Sequence, residues 1–471
     1  MRNTLLLLVA ALSLLPSAWA QERPNIIFIL TDDQAPWALG AAGNTDAHTP
    51  NMDRLAHEGA RFTNFFVATP VCSPSRVELL TSRYGSEAGI TDWISPSPGT
   101  KRADESQLGL DPALPTWVRT LRDAGYRTGL VGKWHLGSQD RYHPSLFGYD
   151  RFYGFREGGA KALDPELEDD GAVATVEGYT SDLLTDKALD FIRHGAGEGK
   201  PFLLSLHHRS PHAPYMPVPE EDWATVKDKS LTLPHPDTPN LDTTRIEKCM
   251  REYLASVAGV DRSLGRVMAL LDELDIAKNT VVIFTSDHGY NIGHHGILHK
   301  GNGAWITTDE KKDVPRPNMW DTSLRTPTLL RWPGKVAPGR VIDQCITNLD
   351  WYPTLVAMTG GAVPESAGTH GRSFLPLLLG EDQPWDNTFY GQYAMHHYAD
   401  ADMHMIRTPE WKLVRDFLRT GAGELYDLKN DPEEAHNRID DPALAAVREK
   451  LDVELKSRME GLRPVERSKG D

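Results

Sequence analysis

Short apolar runs punctuate the chain at long intervals. Asn25-Ile26-Ile27-Phe28-Ile29-Leu30, Phe202-Leu203-Leu204-Ser205-Leu206 and Val281-Val282-Ile283-Phe284-Thr285 are almost continuously hydrophobic, and Thr128-Gly129-Leu130-Val131 is a weaker run. Runs of this length, bounded by polar or turn residues, predict strands buried on both faces. Between them, Thr116 to Ala124 and Tyr253 to Leu274 carry apolar residues three and four apart, the period of an amphipathic helix. Strands alternating with helices predict an α/β fold with a mainly parallel central sheet sandwiched by helices. The texture changes from about residue 381. Lys412-Leu413-Val414 and Leu425-Tyr426-Asp427-Leu428 are short strand-like stretches, and a helical pattern follows over Pro442 to Met459. They predict a smaller C-terminal α+β subdomain with an antiparallel sheet. The acidic, glycine-containing segment 161–177 reads as a surface loop, and the proline- and charge-rich segment 210–240 lacks periodicity.

The first twenty residues belong to a different pattern. Met1-Arg2-Asn3 is basic, Leu5 to Leu15 is almost wholly apolar, and Ala18-Trp19-Ala20 is a small-x-small cleavage site. This is the layout of a secretory signal peptide spanning 1–20, with Gln21 as the new N-terminus. No later apolar stretch reaches the roughly twenty residues of a membrane span. The expectation is a secreted or periplasmic protein with no membrane span, with a large domain over 21–380 and the subdomain over 381–471. Apolar content of 40% and charged content of 25% are ordinary for a globular chain. The formal charge of −16 argues against a nucleic-acid partner, which would call for a basic face. Three cysteines, Cys72, Cys249 and Cys345, make no disulfide framework. Whether Cys249 and Cys345 pair is left open by the sequence.

Chemistry gathers where the strands end. Thr31-Asp32-Asp33 follows the first, Gly132-Lys133-Trp134-His135 the second, His207-His208-Arg209-Ser210-Pro211-His212 the third and Ser286-Asp287-His288-Gly289 the fourth. Ligands of open α/β sheets bind outside the carboxyl ends of the strands. Adjacent carboxylates repel unless a cation neutralises them. Taken alone, Asp32-Asp33 fits a helix cap better than a metal site. With Asp287-His288 at another strand end, a hard cation becomes the better reading, and a loose, irregular oxygen set favours Ca²⁺.

Cys72-Ser73-Pro74-Ser75-Arg76 fills every fixed position of Cys-x-Pro-Ser-Arg. That motif resembles the maturation signature of the cysteine-type, formylglycine-dependent sulfatases of the alkaline phosphatase superfamily. Other blocks agree with the resemblance: Asn25 through Gln34, Thr49 through Leu55, Gly132-Lys133-Trp134-His135-Leu136-Gly137, Ser286 through Gly289 with Lys300-Gly301-Asn302, Leu330 through Gly334, and Glu424 through Leu428. The likeness runs from about residue 23 to about residue 437. Two positions depart from the family's commoner pattern: Ser82 stands before Arg83 where Gly is more usual, and His288 stands where arylsulfatases more often carry Asn.

The resemblance implies an alkaline phosphatase-like fold and hydrolysis of a sulfate ester, most naturally on a sulfated carbohydrate, with release of inorganic sulfate. It implies that a formylglycine-generating enzyme oxidises Cys72, and that the hydrated aldehyde attacks sulfur. It implies one Ca²⁺ held by Asp32, Asp33, Asp287, His288 and an oxygen of modified residue 72. Arg76 would hold the diol, Lys133 and Lys300 would bind sulfate oxygens, and His212 would protonate the leaving oxygen. His135 would deprotonate the second hydroxyl and so expel sulfate. His294, His295, Tyr393, His396, His397, His404 and Arg407 are candidates for substrate contact. Substrate choice is expected to lie in segments 156–177, 208–245, 299–318 and 393–407. The alternatives are a phosphonate or phosphodiester hydrolase of the same superfamily and a non-catalytic sulfated-glycan binding protein.

Overall fold

The computed structural model describes residues 23–95, 105–419, 421 and 423–462. The signal peptide expected over 1–20 lies outside them. Among the described residues the main sheet has ten strands. In spatial order they are Arg340–Ile342, Ala60–Phe62, Thr328–Arg331, Thr280–Ser286, Asn25–Thr31, Phe202–His207, Arg127–Lys133, Arg151–Phe155, Glu166–Asp169 and Ala172–Thr175. The central five, from Thr280–Ser286 to Arg151–Phe155, all run parallel. Thr328–Arg331 and the Glu166–Asp169 hairpin are antiparallel additions at either side.

Asn25–Thr31 shows how the apolar runs build two cores. All seven of its residues are buried. Because side chains alternate across a strand, Ile27 and Ile29 enter one core while Ile26, Phe28 and Leu30 enter the other. The first core is closed by helices Thr180–Gly197 and Thr243–Glu273 through residues such as Leu184, Ile192, Leu254 and Leu264. The second is closed by Cys72–Thr81, Trp117–Asp123 and Trp351–Met358. Phe28 packs there against Trp117 and Trp351, with ring centroids 5.7 and 5.2 Å away. The sheet is thus covered on both faces, as the alternation of strands and helices predicts.

Two sequence expectations need adjustment. The long helix starts at Thr243 rather than near Tyr253, because Asp242 caps it by accepting from the Arg245 amide at 3.0 Å. Segment 161–177 is not simply a loop: Glu166–Asp169 and Ala172–Thr175 form a hairpin at the sheet edge. Asp170-Gly171 turns it, with φ of 47° and 101°, the doubly left-handed turn that an Asp-Gly pair favours.

The C-terminal sheet pairs Phe389–Tyr393, Met403–Arg407, Trp411–Asp416 and Gly423–Asp427 in antiparallel succession. Leu451 and Leu455 of helix Ala445–Met459 pack on Ile406, Leu413 and Leu425. The opposite face, through Tyr393, Met403 and Met405, packs on Phe66, Val67, Val71 and Met319 of the main unit. A buried ion cluster joins the two, with Arg407 and Lys412 both on Asp321 at 2.9 and 2.5 Å. Among the described residues no helix is long and apolar enough to cross a membrane.

Candidate active site

Parallel pairing brings the chemical residues to one edge. Asp32 and Asp33 follow Asn25–Thr31, Asp287 and His288 follow Thr280–Ser286, Lys133 ends Arg127–Lys133, and Ser210 to His212 come after Phe202–His207. Cys72 is the first residue of a helix whose ten residues are all buried. Asp33 and His135 hold φ of 70° and 60°, a sparsely populated region for residues with a Cβ and one that collects at functional sites.

The charges are paired one to one. Lys133 Nζ lies 2.6 Å from Asp32 Oδ2, Lys300 Nζ lies 2.5 Å from Asp33 Oδ1, and Arg76 donates from Nε and Nη2 to Asp287 Oδ2 at 3.1 and 2.9 Å. Burial opposes ionisation of Asp32 and Asp33. Burial is the largest single influence, but the surrounding positive charges together outweigh it, Lys133 foremost at Asp32 and Lys300 foremost at Asp33, each joined by His212, and they hold both carboxyls below their usual range. Burial also pulls on Lys300, but Asp33 keeps it charged. Lys300 Nζ is also 3.0 Å from Cys72 Sγ. Burial pushes the Cys72 thiol up to about 12, so the unmodified side chain is a neutral thiol and a poor nucleophile.

The donor set fits a hard cation. His288 Nε2 stands 3.2 Å from Asp33 Oδ1, 3.3 Å from Asp287 Oδ1 and 3.4 Å from Cys72 Sγ, and Cys72 Sγ stands 3.7 Å from Asp32 Oδ1. Ligands around Ca²⁺ sit about 2.3–2.6 Å from the ion, so neighbours at right angles lie roughly 3.3–3.7 Å apart. The tautomer of His288 points the same way. Its Nδ1 is 2.9 Å from the Gly289 carbonyl, which only accepts, so Nδ1 carries the hydrogen. Burial lowers the imidazole pKa despite Asp287, which leaves Nε2 as a lone pair. A lone pair facing two carboxylates and a sulfur is repulsive unless a cation sits among them, and donation from the other ring nitrogen to a carbonyl is the usual habit of ligating histidines.

Two further histidines differ in their spare atoms. His135 Nε2 is 3.0 Å from the Ile94 carbonyl and so carries its hydrogen, which leaves Nδ1 as an acceptor. Nδ1 is buried and has no partner. Burial first, then Lys133 and Arg76, hold the His135 pKa well below its ordinary range. Gly158 permits this packing: a Cβ there would lie 2.6 Å from His135 Nε2. His212 Nδ1 lies 2.6 Å from the Ala213 carbonyl and its Nε2 lies 3.8 Å from Asp33 Oδ2. Burial lowers the His212 pKa while Asp33 raises it, and its side chain, 30% exposed, keeps contact with water that weakens both effects.

A cavity of about 760 Å³ opens over this cluster, with Asp33, Cys72, His135, His212 and Lys300 in its lining. Arg76, Lys133, Asp32, Asp287 and His288 lie behind that surface. Each of the four expected specificity segments reaches it, through Glu157, Ala213, Asp313 and Tyr398 among others. His299 and Asn302, both in segment 299–318, also line it, as does Trp93, which lies in none of the segments or motif blocks quoted above. His299 neighbours Lys300, and Glu157 precedes a Gly-Gly pair just past a strand end, so both carried a signal; Trp93 carried none.

The seven expected substrate contacts do not line this cavity. His294 stacks on Trp37 at 4.9 Å and His295 on Trp320 at 4.2 Å, and both line a second cavity of about 370 Å³ that shares no residue with the first. Tyr393 donates to Asp92 at 3.2 Å, His404 sits between Tyr390 and Asp402, and Arg407 is held by Asp321. His396 and His397 bond Glu105 at 2.8 and 3.0 Å, one layer behind Trp93. Tyr393, His396, His397, His404 and Arg407 thus have their polar atoms engaged by partners inside the fold.

A mainly parallel sheet whose carboxyl edge carries buried carboxylates and a convergent set of side chains that could hold a cation places the protein among the alkaline phosphatase-like α/β hydrolases. A family model described as "Sulfatase" matches residues 24–362, and one described as "N-sulphoglucosamine sulphohydrolase, C-terminal" matches residues 314–461. The chain belongs to the sulfatase family, whose members are sulfuric ester hydrolases. It is 28% identical over 519 residues to an N-acetylglucosamine-6-O-sulfatase of Bacteroides thetaiotaomicron, covering 92% of this chain and 87% of the relative. It is 29% identical over 451 residues to the human steryl-sulfatase, covering 82% and 74%. The solved structure of BT4656 in complex with its substrate D-glucosamine-2-N,6-O-disulfate superposes with a TM-score of 0.78 at 25% identity, covering 93% of this chain and 97% of that one.

Proposed function

We propose that this protein releases inorganic sulfate from a sulfated carbohydrate, using formylglycine made from Cys72 by a formylglycine-generating enzyme and one bound Ca²⁺. The observation that carries this is the buried Cys72, met by Lys300 at 3.0 Å and enclosed by Asp32 and His288. Its Sγ marks where an oxygen of the modified side chain would stand. Hydrated formylglycine supplies one hydroxyl to attack sulfur and a second through which sulfate is expelled. Asp32, Asp33, Asp287, His288 and residue 72 would hold Ca²⁺, which when bound would favour the ionised hydroxyl and offset sulfate charge.

The remaining roles in this reading are those the family resemblance implies. Arg76 orients the Asp287 carboxylate through two hydrogen bonds. Lys300, in the lining, and Lys133, behind it, hold sulfate oxygens and stabilise charge as it builds in the transition state. His212, the partly solvated imidazole at the cavity wall, delivers a proton to the leaving oxygen. His135 receives a proton at its free Nδ1. The net charge explains the preference for an anion: three carboxylates and three cationic side chains cancel, so a divalent ion leaves the cluster at about +2. Cleavage after Ala20 places the enzyme outside the cytoplasm, with 21–380 as the catalytic unit and 381–471 reaching its cavity through Tyr398.

The test is sulfate release from defined sulfated mono- and disaccharides, with residue 72 verified as formylglycine and Ca²⁺ present. Release from one sugar position is the expected result. Turnover of an aryl phosphonate in preference to every sulfate ester would overturn it.

A further inference from the structure

Beyond the sulfate end, the cavity has an aromatic side. Trp93 and Tyr398 both line it, with ring centroids 6.1 Å apart and planes inclined at 33°. They come from segments 305 residues apart, so only the fold brings them together. Tyr398 is 61% exposed, so its ring is open to a ligand in the cavity.

Trp93 is held by a buried device. His397 stacks on the indole at 4.2 Å and 28°. Both ring nitrogens of His397 meet carboxylates, Nδ1 to Asp92 Oδ2 and Nε2 to Glu105 Oε2, each at 3.0 Å. Carboxylates only accept, so both nitrogens carry hydrogen and the ring is an imidazolium. A cation on the indole face, itself pinned at both ends, fixes the plane of Trp93. The backbone amide of His396 also donates to Asp92 at 2.9 Å, tying the Tyr398 segment to the Trp93 segment.

The same cavity carries hydrogen-bond acceptors. Glu157 and Asp313 line it, as does Asn302, whose Oδ1 is buried and without a partner. A sugar ring has an axial-hydrogen face that packs on aromatic carbon and hydroxyls that need acceptors. Its requirements match a pocket of apolar walls with a few convergent polar groups.

We propose that Trp93 and Tyr398 form a platform for the ring of the sulfated sugar, and that His397, clamped by Asp92 and Glu105, is the positioning residue that holds Trp93 in place. This rests on the sulfatase reading and adds what binds the part of the substrate that does not react. A sterol would use the aromatic rings but leave Glu157, Asn302 and Asp313 without hydroxyls, so the sugar is favoured.

The experiment compares N-acetylglucosamine 6-sulfate with propyl sulfate, a ringless ester, in wild type and in Trp93→Ala, Trp93→Phe and His397→Gln. For Trp93→Ala, KM for the sugar should rise on the order of tenfold or more, with kcat/KM for propyl sulfate nearly unchanged. Trp93→Phe should recover much of the loss. His397→Gln should raise KM for the sugar by less, with kcat retained. Equal losses on both esters in Trp93→Phe, or unchanged sugar kinetics in Trp93→Ala, overturn the platform. Wild type that cleaves propyl sulfate but no sugar overturns the platform and leaves the sulfatase reading standing. Cleavage of neither, with residue 72 verified, overturns both.

Discussion

Removing the cation should weaken the fold without unfolding it. Each buried carboxylate of the site already has a cationic partner: Asp32 with Lys133 at 2.6 Å, Asp33 with Lys300 at 2.5 Å and Asp287 with Arg76 at 2.9 Å. The ion-free cluster is therefore electrically balanced, unlike a site of bare carboxylates. What the ion contributes is its own binding free energy, about 2.7 kcal/mol at a hundred times its dissociation constant. Unfolding entropy of about 2.1 cal/mol/K per residue over roughly 450 residues comes to nearly 1 kcal/mol/K, so the expected loss on chelation is about 3 °C in Tm. Differential scanning calorimetry in EDTA, followed by titration with CaCl₂, measures it. The shift should return with Ca²⁺ and should vanish in Asp33→Asn, which lacks one of the proposed ligands. A Tm indifferent to EDTA and Ca²⁺, or an Asp33→Asn protein that responds as wild type does, would refute the metal assignment. Collapse of the fold in EDTA would refute the charge balance.

Cys72→Ala and Cys72→Ser should fold normally and lose all sulfate release, while mature wild type should be about 18 Da lighter than its sequence mass at that peptide, the difference between thiol and aldehyde; measurable turnover in either variant contradicts the nucleophile. Phe28→Ala should cost about 3–5 kcal/mol, read as a lowered denaturation midpoint, because the ring is fully buried between Trp117 and Trp351. Acid should destabilise the protein through His207 and His208, whose pKa values burial lowers to about 3 and about 4. Both gain protons in the unfolded chain near pH 6.5 but stay neutral in the fold. Stability is therefore complete above about pH 6.5 and falls by roughly 2.7 kcal/mol per pH unit toward pH 4 from these two groups. His208→Gln should remove about half of that slope, and a profile flat over this range would contradict it.

The hairpin over 166–175 shows a signal that was present and missed. Asp170-Gly171 is a strong turn pair, but the flanking Glu166–Asp169 is acidic enough to resemble a loop. Its strand character comes from pairing with Arg151–Phe155, a contact no local window contains. The candidate substrate histidines stand away from the large cavity for a related reason. Nothing local distinguishes His404, spent on Tyr390 and Asp402, from His135, whose Nδ1 is free.

The sequence by itself determined the parallel sheet and the edge where chemistry collects, because both depend on local properties: a continuous apolar run must be buried on both faces, and the polar residues directly after it must emerge at its end. It also determined the Cys72 motif, since consecutive residues carry it. Only the tertiary structure decided which charges neutralise each other, which nitrogens of His135 and His288 carry hydrogen, and that Trp93 meets Tyr398. Those are relations between residues tens to hundreds of positions apart, and hydrogen-bond and Coulomb energies depend on distances of a few ångströms that exist only once the sheet has formed.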